Sequence, residues 1–97
     1  MKTIETTICG WSKSVCANSE VSFPESISDV CKVISKSKEN KTSIAIRGAG
    51  FSYGDNALNR GGVVLCTEKM NDIIHFDSKT GEIVVQSGVT IEDVYLF

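Results

Sequence analysis

Five of the eight glycines in this 97-residue chain fall in one stretch, "IRGAGFSYGDNALNRGG", residues 46–62. An apolar run of strand character leads into it ("TSIAIRG", 42–48) and another leads out ("GVVLCT", 62–67). Glycine loses more conformational freedom on folding than any other residue. A concentration of it marks backbone that needs positive φ or a close approach to something else. The rest of a chain this short has to be arranged around that connection.

The length allows one small domain with a modest core. Hydrophobic residues make up 41% and charged residues 23% of an ordinary composition, which argues against disorder. Ten basic and twelve acidic side chains are scattered along the chain, for a net charge of −2. A duplex-binding protein shows a concentrated basic footprint and none is present, so no nucleic-acid partner is expected. The apolar runs are too short for a transmembrane segment. The opening "MKTIETTICGWSKSVCAN" has no apolar core of a secretory signal. Cys9, Cys16, Cys31 and Cys66 form no C-x-x-C pair and no cluster with His75, the single histidine, so no metal site is expected. Free thiols in a reducing, cytoplasmic compartment are the expectation.

Along the chain, residues 1–19 read as an N-terminal arm or short strand that packs Trp11 on a neighbouring surface, and 20–97 as a partial domain. "EVSF" (20–23) alternates like a short strand. "PESISDVCKVISKSKENK" (24–41) reads as an amphipathic helix. Ser26 and Asp29 suit a capping box, and Ile27, Val30, Cys31 and Ile34 follow the i, i+3, i+4, i+7 rule. After the strands at 42–48 and 62–67 come "DIIHFD" (72–77) and "EIVVQSG" (82–88), joined by a hairpin loop through Asp77 and Gly81. "GVVLCT" is apolar on both faces and predicts a buried strand. His75 reads as an ordinary strand residue. "TIEDVYLF" (90–97) begins a helix capped by Thr90, with Asp93 three residues on, and stops in mid-pattern on Leu96 and Phe97. Truncation of a longer chain, or docking of those residues on a partner, would each explain that end. The expected fold class is α/β (α+β), a mixed sheet with flanking helices in the order β-α-β-loop-β-β-β-α.

In the glycine stretch, Gly48, Gly50 and Gly54 follow a strand, with Arg47 and Ser52 adding one charge and one hydroxyl. Successive bare N–H groups in such a loop form a nest for an anion, and the added donors suit a phosphate or pyrophosphate. The spacing is neither the G-x-G-x-x-G fingerprint nor a P-loop. On physical grounds alone, a structural Ω-type loop and a ligand loop both remain open.

The whole string "RGAGFSYGDNALNRGGVVL" resembles the pyrophosphate loop of FAD-dependent oxidoreductases of the vanillyl-alcohol oxidase / p-cresol methylhydroxylase type. Its "SYGDNAL" run looks most like the decaprenylphosphoryl-ribose 2-oxidase group. "GW" near the start, the strand–helix pair before the loop and "VQSGVTIEDV" after it fall in the same order, so the resemblance spans roughly residues 10–97.

The resemblance implies that backbone from Gly48 to Gly54 (Gly48, Ala49, Gly50, Phe51, Ser52, Tyr53, Gly54) holds the FAD pyrophosphate, with the Ser52 hydroxyl added. Ile46 and Arg47 enter the loop from the strand. Tyr53 approaches the flavin, and Asp55 and Asn56 fix the loop or touch the cofactor. Many relatives carry a flavin-linked histidine where this chain has Phe51. A phenyl ring has no nucleophilic nitrogen, so non-covalent FAD is implied. The implied function is the N-terminal fragment of an FAD-dependent oxidoreductase acting on an alcohol or sugar carbon, its substrate contacts and catalytic residues lying beyond Phe97. The alternatives are a non-catalytic, truncated flavin- or nucleotide-binding module and a purely structural domain.

Overall fold

The computed structural model describes residues 1–52 and 57–97. Its elements run β1 (Lys2–Cys9), β2 (Cys16–Phe23), α1 (Ile27–Glu39), β3 (Ile44–Arg47), β4 (Val63–Cys66), β5 (Ile73–Phe76), β6 (Ile83–Val85) and α2 (Ile91–Leu96). Four strands form a mixed sheet in the order β1-β2-β4-β3, and β5 and β6 form a separate antiparallel pair. β1 pairs antiparallel with β2, whereas β4 runs parallel to both β2 and β3. The mixed sheet with flanking helices expected from the sequence is present.

β4 is buried at every position. Its side chains alternate between two small cores. Val64 and Cys66 meet Val21 on one face, with Ile8 and Phe23 alongside. Val63 and Leu65 meet Val33 of α1 on the other, with Val30 and Ile44. Val64 is 0% exposed, so cutting it to alanine would cost about 2 kcal/mol.

β3 and β4 are parallel neighbours, so the chain leaving β3 must travel back along the sheet before β4 can begin. Residues 48–62 make that return. Part of the reason for the long glycine stretch is therefore topological.

Both helices begin as their sequences predict. Ser26 Oγ accepts the Asp29 N–H at 3.2 Å, and Asp29 Oδ2 accepts from the Glu25 N–H. At α2, Thr90 and Asp93 complete a reciprocal capping box. The end of α1 is less ordinary. Thr42 N–H reaches the Ser37 carbonyl at 2.9 Å and Lys41 N–H the Lys38 carbonyl at 3.3 Å, a Schellman arrangement. Its left-handed residue is Lys41, φ 54°. Phe76 and Phe97 meet edge-to-face at 5.8 Å, tying the end of the chain to β5.

Three features depart from the sequence expectations. First, Cys9 and Cys16 are not free thiols; they form a disulfide. They face one another as the last pair of the β1–β2 ladder, a proximity that spacing alone cannot report. Cys31 and Cys66 are free, as expected. Second, residues 1–19, expected as an arm or one short strand, hold two: β1 and the first half of β2 form a hairpin along the edge of the sheet. Third, α1 rests on Val33 and Ser37, leaving much of the Ile27–Ile34 stripe turned outward. Ile27 is 76% exposed. The apolar stripe is wider than the short strands can cover. Ile27, Val30 and Ile34 instead line an apolar groove of about 520 Å³ with Ile46, Leu65 and Met70. The radius of gyration, 14.8 Å, exceeds the roughly 12.5 Å of a compact chain this long, in keeping with an open groove.

Candidate functional site

At the end of β3 the backbone is locked to the end of β4. The Arg47 carbonyl accepts the Thr67 N–H at 2.8 Å, and the Cys66 thiol points at the Gly48 carbonyl, 3.6 Å away. Burial pushes the Cys66 thiol pKa up. A backbone hydrogen bond at Glu68 opposes the shift, the Glu68 carboxylate adds to it and the Arg47 charge opposes it. The thiol is thus held neutral beneath the loop.

Beyond Arg47 the chain bends through Gly48 and Gly50. Gly50 has φ +81°, a conformation side chains rarely adopt, and an added Cβ would lie 2.5 Å from Arg47 Nη2. The missing side chain leaves room for the guanidinium to fold under the loop. There Arg47 Nη1 is buried without a hydrogen-bond partner among the described residues. A buried donor left unpaired among the described residues costs free energy.

Opposite stands the segment leading into α2. Gly48, Ala49 and Phe51 line one wall of a cleft of about 450 Å³, and Gly88, Thr90 and Ile91 line the other. Gly88 makes this approach: its N–H donates to the Met70 carbonyl at 2.9 Å, and a Cβ there would fall 1.8 Å from the Thr67 carbonyl. Phe51 is 67% exposed at the cleft mouth. The carbonyl of the exposed Ser52 accepts the Trp11 N–H at 3.1 Å. Its hydroxyl makes no hydrogen bond among the described residues.

The expected site residues are therefore only partly gathered. Gly48, Ala49 and Phe51 line the cleft, while the Arg47 guanidinium lies close against Gly50 in the same segment. Ile46 lines the apolar groove instead. Tyr53, Gly54, Asp55 and Asn56 lie outside the described residues. His75 is an exposed residue of β5 paired with Val84, as its strand context predicts.

Sequence reasoning missed Asn59, which pins the return of the connection. Its Nδ2 donates to the Ser43 carbonyl at 3.0 Å and the Val63 carbonyl at 3.1 Å. Its own carbonyl accepts from the Ser19 hydroxyl and from the Gly62 N–H. The one available signal was an amide side chain directly before "RGG". Gly88 was visible within "QSGVT", but its nearness to Thr67 was not.

A cleft lined by Gly48 and Gly88 thus lies beyond the carboxyl end of β3. The FAD binding domain family matches residues 19–97, and the chain belongs to that family. It is 34% identical over 90 residues to decaprenylphosphoryl-β-D-ribose oxidase of Mycolicibacterium smegmatis, covering 90% of this chain and 19% of that protein. Cholesterol oxidase from Brevibacterium sterolicum shares the fold, with TM-score 0.77 and 20% identity over 94% of this chain and 18% of that one. A mutant of the same enzyme matches equally well, at 21% identity. The chain thus spans about a fifth of the length of these proteins.

Proposed function

We propose that residues 46–56 cradle the pyrophosphate of FAD, and that the chain is the N-terminal part of an FAD-dependent oxidoreductase acting on an alcohol or sugar carbon. In this reading residues 20–97 are the partial cofactor domain and 1–19 an addition to it. The observation that carries the reading is Arg47 Nη1, buried and unpaired among the described residues, beside Gly50. Arg47 supplies the charge. The backbone of Gly48 to Gly50 and the Ser52 hydroxyl supply further donors, and the Gly88 segment closes the opposite wall. The FAD, when bound, supplies the acceptor for the electrons of the oxidised carbon. Phe51 has no atom able to bond the flavin, so the cofactor is held non-covalently there. A cytoplasmic setting belongs to the same reading, supported by the free Cys31 and Cys66. In it the Cys9–Cys16 bond would meet reducing thiols.

The test is a titration of the isotopically labelled chain with FAD, with flavin emission and backbone amide shifts followed together. Weak binding is expected, because the loop forms only part of a cofactor site. Shifts should be confined to residues 46–56 and 87–92. Micromolar affinity would overturn the partial-site reading, and shifts elsewhere would overturn the pyrophosphate assignment.

A further inference from the structure

The β1–β2 hairpin ends in a small closed unit at the site. Cys9 and Cys16 bond across the last rung of the ladder. Between them the tip is turned by Gly10 N–H to the Val15 carbonyl, 2.9 Å, and by Lys13 N–H to the Gly10 carbonyl, 2.9 Å. This tip touches both limbs of the glycine connection. Trp11 N–H donates to the Ser52 carbonyl on the outgoing limb at 3.1 Å. On the returning limb, Arg60 Nη2 donates to the carbonyl of Cys16 itself at 3.1 Å. Both bonded cysteines are half-buried, within reach of small thiols.

We propose that the Cys9–Cys16 pair is a reversible thiol–disulfide latch whose oxidised form holds the hairpin tip against residues 48–52 and 60, and whose reduced form releases them. The oxidant is a small-molecule disulfide of the glutathione class. One cysteine thiolate attacks it and forms a mixed disulfide. The second thiolate then displaces the small thiol and closes the bond. Two cysteine S–H bonds and one small-molecule S–S bond are exchanged for one protein S–S bond and two small-molecule S–H bonds. The protein gives up two electrons to the small disulfide, and the two protons end on the released thiols. Without the bond, the tip keeps its turn hydrogen bonds and its contacts to Ser52 and Arg60, set against a left-handed non-glycine residue, Lys13 at φ 61°. Such a tip frays readily at the end of an edge hairpin. The consequence falls on the ordering of the loop, whichever anion the loop takes.

The experiment places the Cys31→Ser chain in glutathione buffers of graded redox ratio. Thiol alkylation with mass analysis counts the bonds, amide exchange is read residue by residue, and emission from Trp11 is recorded. Trp11 is the sole tryptophan and reports the tip directly. Oxidation should protect the Trp11 amide and those of residues 48–52 by about tenfold or more, with Val33 and Val64 unchanged. The Cys9→Ser/Cys16→Ser double variant should behave as the reduced chain in every buffer. Equal protection in both redox states overturns the proposal, as does failure of the pair to oxidise. Loss of protection at Val64 in the double variant also overturns it, because the bond would then staple the whole fold.

Discussion

Gly88 lies so close to Thr67 that a methyl group on its Cα would sit 1.8 Å from the Thr67 carbonyl oxygen. The obstacle is backbone on both sides, so no rotamer change relieves it. Thr67 is also the residue whose N–H holds the end of β3 at Arg47. One contact thus fixes the distance between the two walls of the cleft. Gly88→Ala should cost about 2 kcal/mol or more and drive residues 87–90 away from the sheet. Urea unfolding gives the first quantity. Amide shifts at Met70 and Gly88 report the second, and an unchanged spectrum would count against the contact.

Arg47 should show opposite effects with and without ligand. Its Nη1 is buried and unpaired among the described residues, so in the absence of an acceptor one N–H donor goes unsatisfied. Arg47→Met keeps the stem and removes the charge. The melting temperature without ligand should stay level or rise. Affinity for pyrophosphate-containing nucleotides should fall roughly tenfold or more. Thermal melts with and without ADP separate the two effects.

Asn59 joins three parts of the chain: its side-chain amide donates to the Ser43 and Val63 carbonyls, and its backbone carbonyl accepts from the Ser19 hydroxyl. Asn59→Ala would strip the side-chain donors from a partly buried corner, at about 1–2 kcal/mol. Asn59→Asp replaces the donor with a charge facing two carbonyls and should be at least as harmful. Denaturant midpoints of both variants decide it.

The end of α1 leaves room for improvement. Lys41 sits at φ 54°, where a side chain is strained and glycine is not. Lys41→Gly should stabilise the chain by about 1 kcal/mol, a rise of roughly 5 °C in melting temperature. The same exchange at Lys38, inside the helix, should lower it. Calorimetry of the pair provides an internal control.

Cys66 carries a pH dependence of known sign. Burial raises its pKa in the folded state, so the unfolded chain loses the thiol proton first. The resulting stability is fully present below the unfolded value, about 8.5, and is lost as pH rises toward the folded value. Urea midpoints at neutral and alkaline pH should fall more steeply for the native chain than for Cys66→Ala. Iodoacetamide should label the exposed Cys31 well before Cys66.

What was legible in the sequence was local or periodic. The caps at Ser26 and Thr90, the burial of Val63–Cys66 and the strands either side of the glycines follow from patterns within a few residues. The hairpin of β1 with β2 was not legible, because its register is set by pairing over a polar stretch, Thr3 against Ser22 and Thr6 against Ser19. The Cys9–Cys16 bond was hidden for the same reason. At the site, the glycines announced a loop, but the partners of Arg47 and Gly88 are fixed by tertiary approach. The outward turn of Ile27 and Ile34 could not be read either, since periodicity locates a stripe without saying how much of it the sheet will cover.

The placement of β4 has a consequence for how the chain acquires its structure. β4 is the middle strand between β2 and β3, yet it follows both in sequence. Within this sheet, β2 and β3 share no hydrogen-bonded edge until β4 arrives, and both small cores draw on its side chains. During synthesis, a nascent chain ending before Val63 has a hairpin and a helix but no strand to join them. The sheet closes only when Val63–Cys66 has been made. Non-local closure of this kind is slow, and here the same closure that completes the core also brings the end of β3 beside β4.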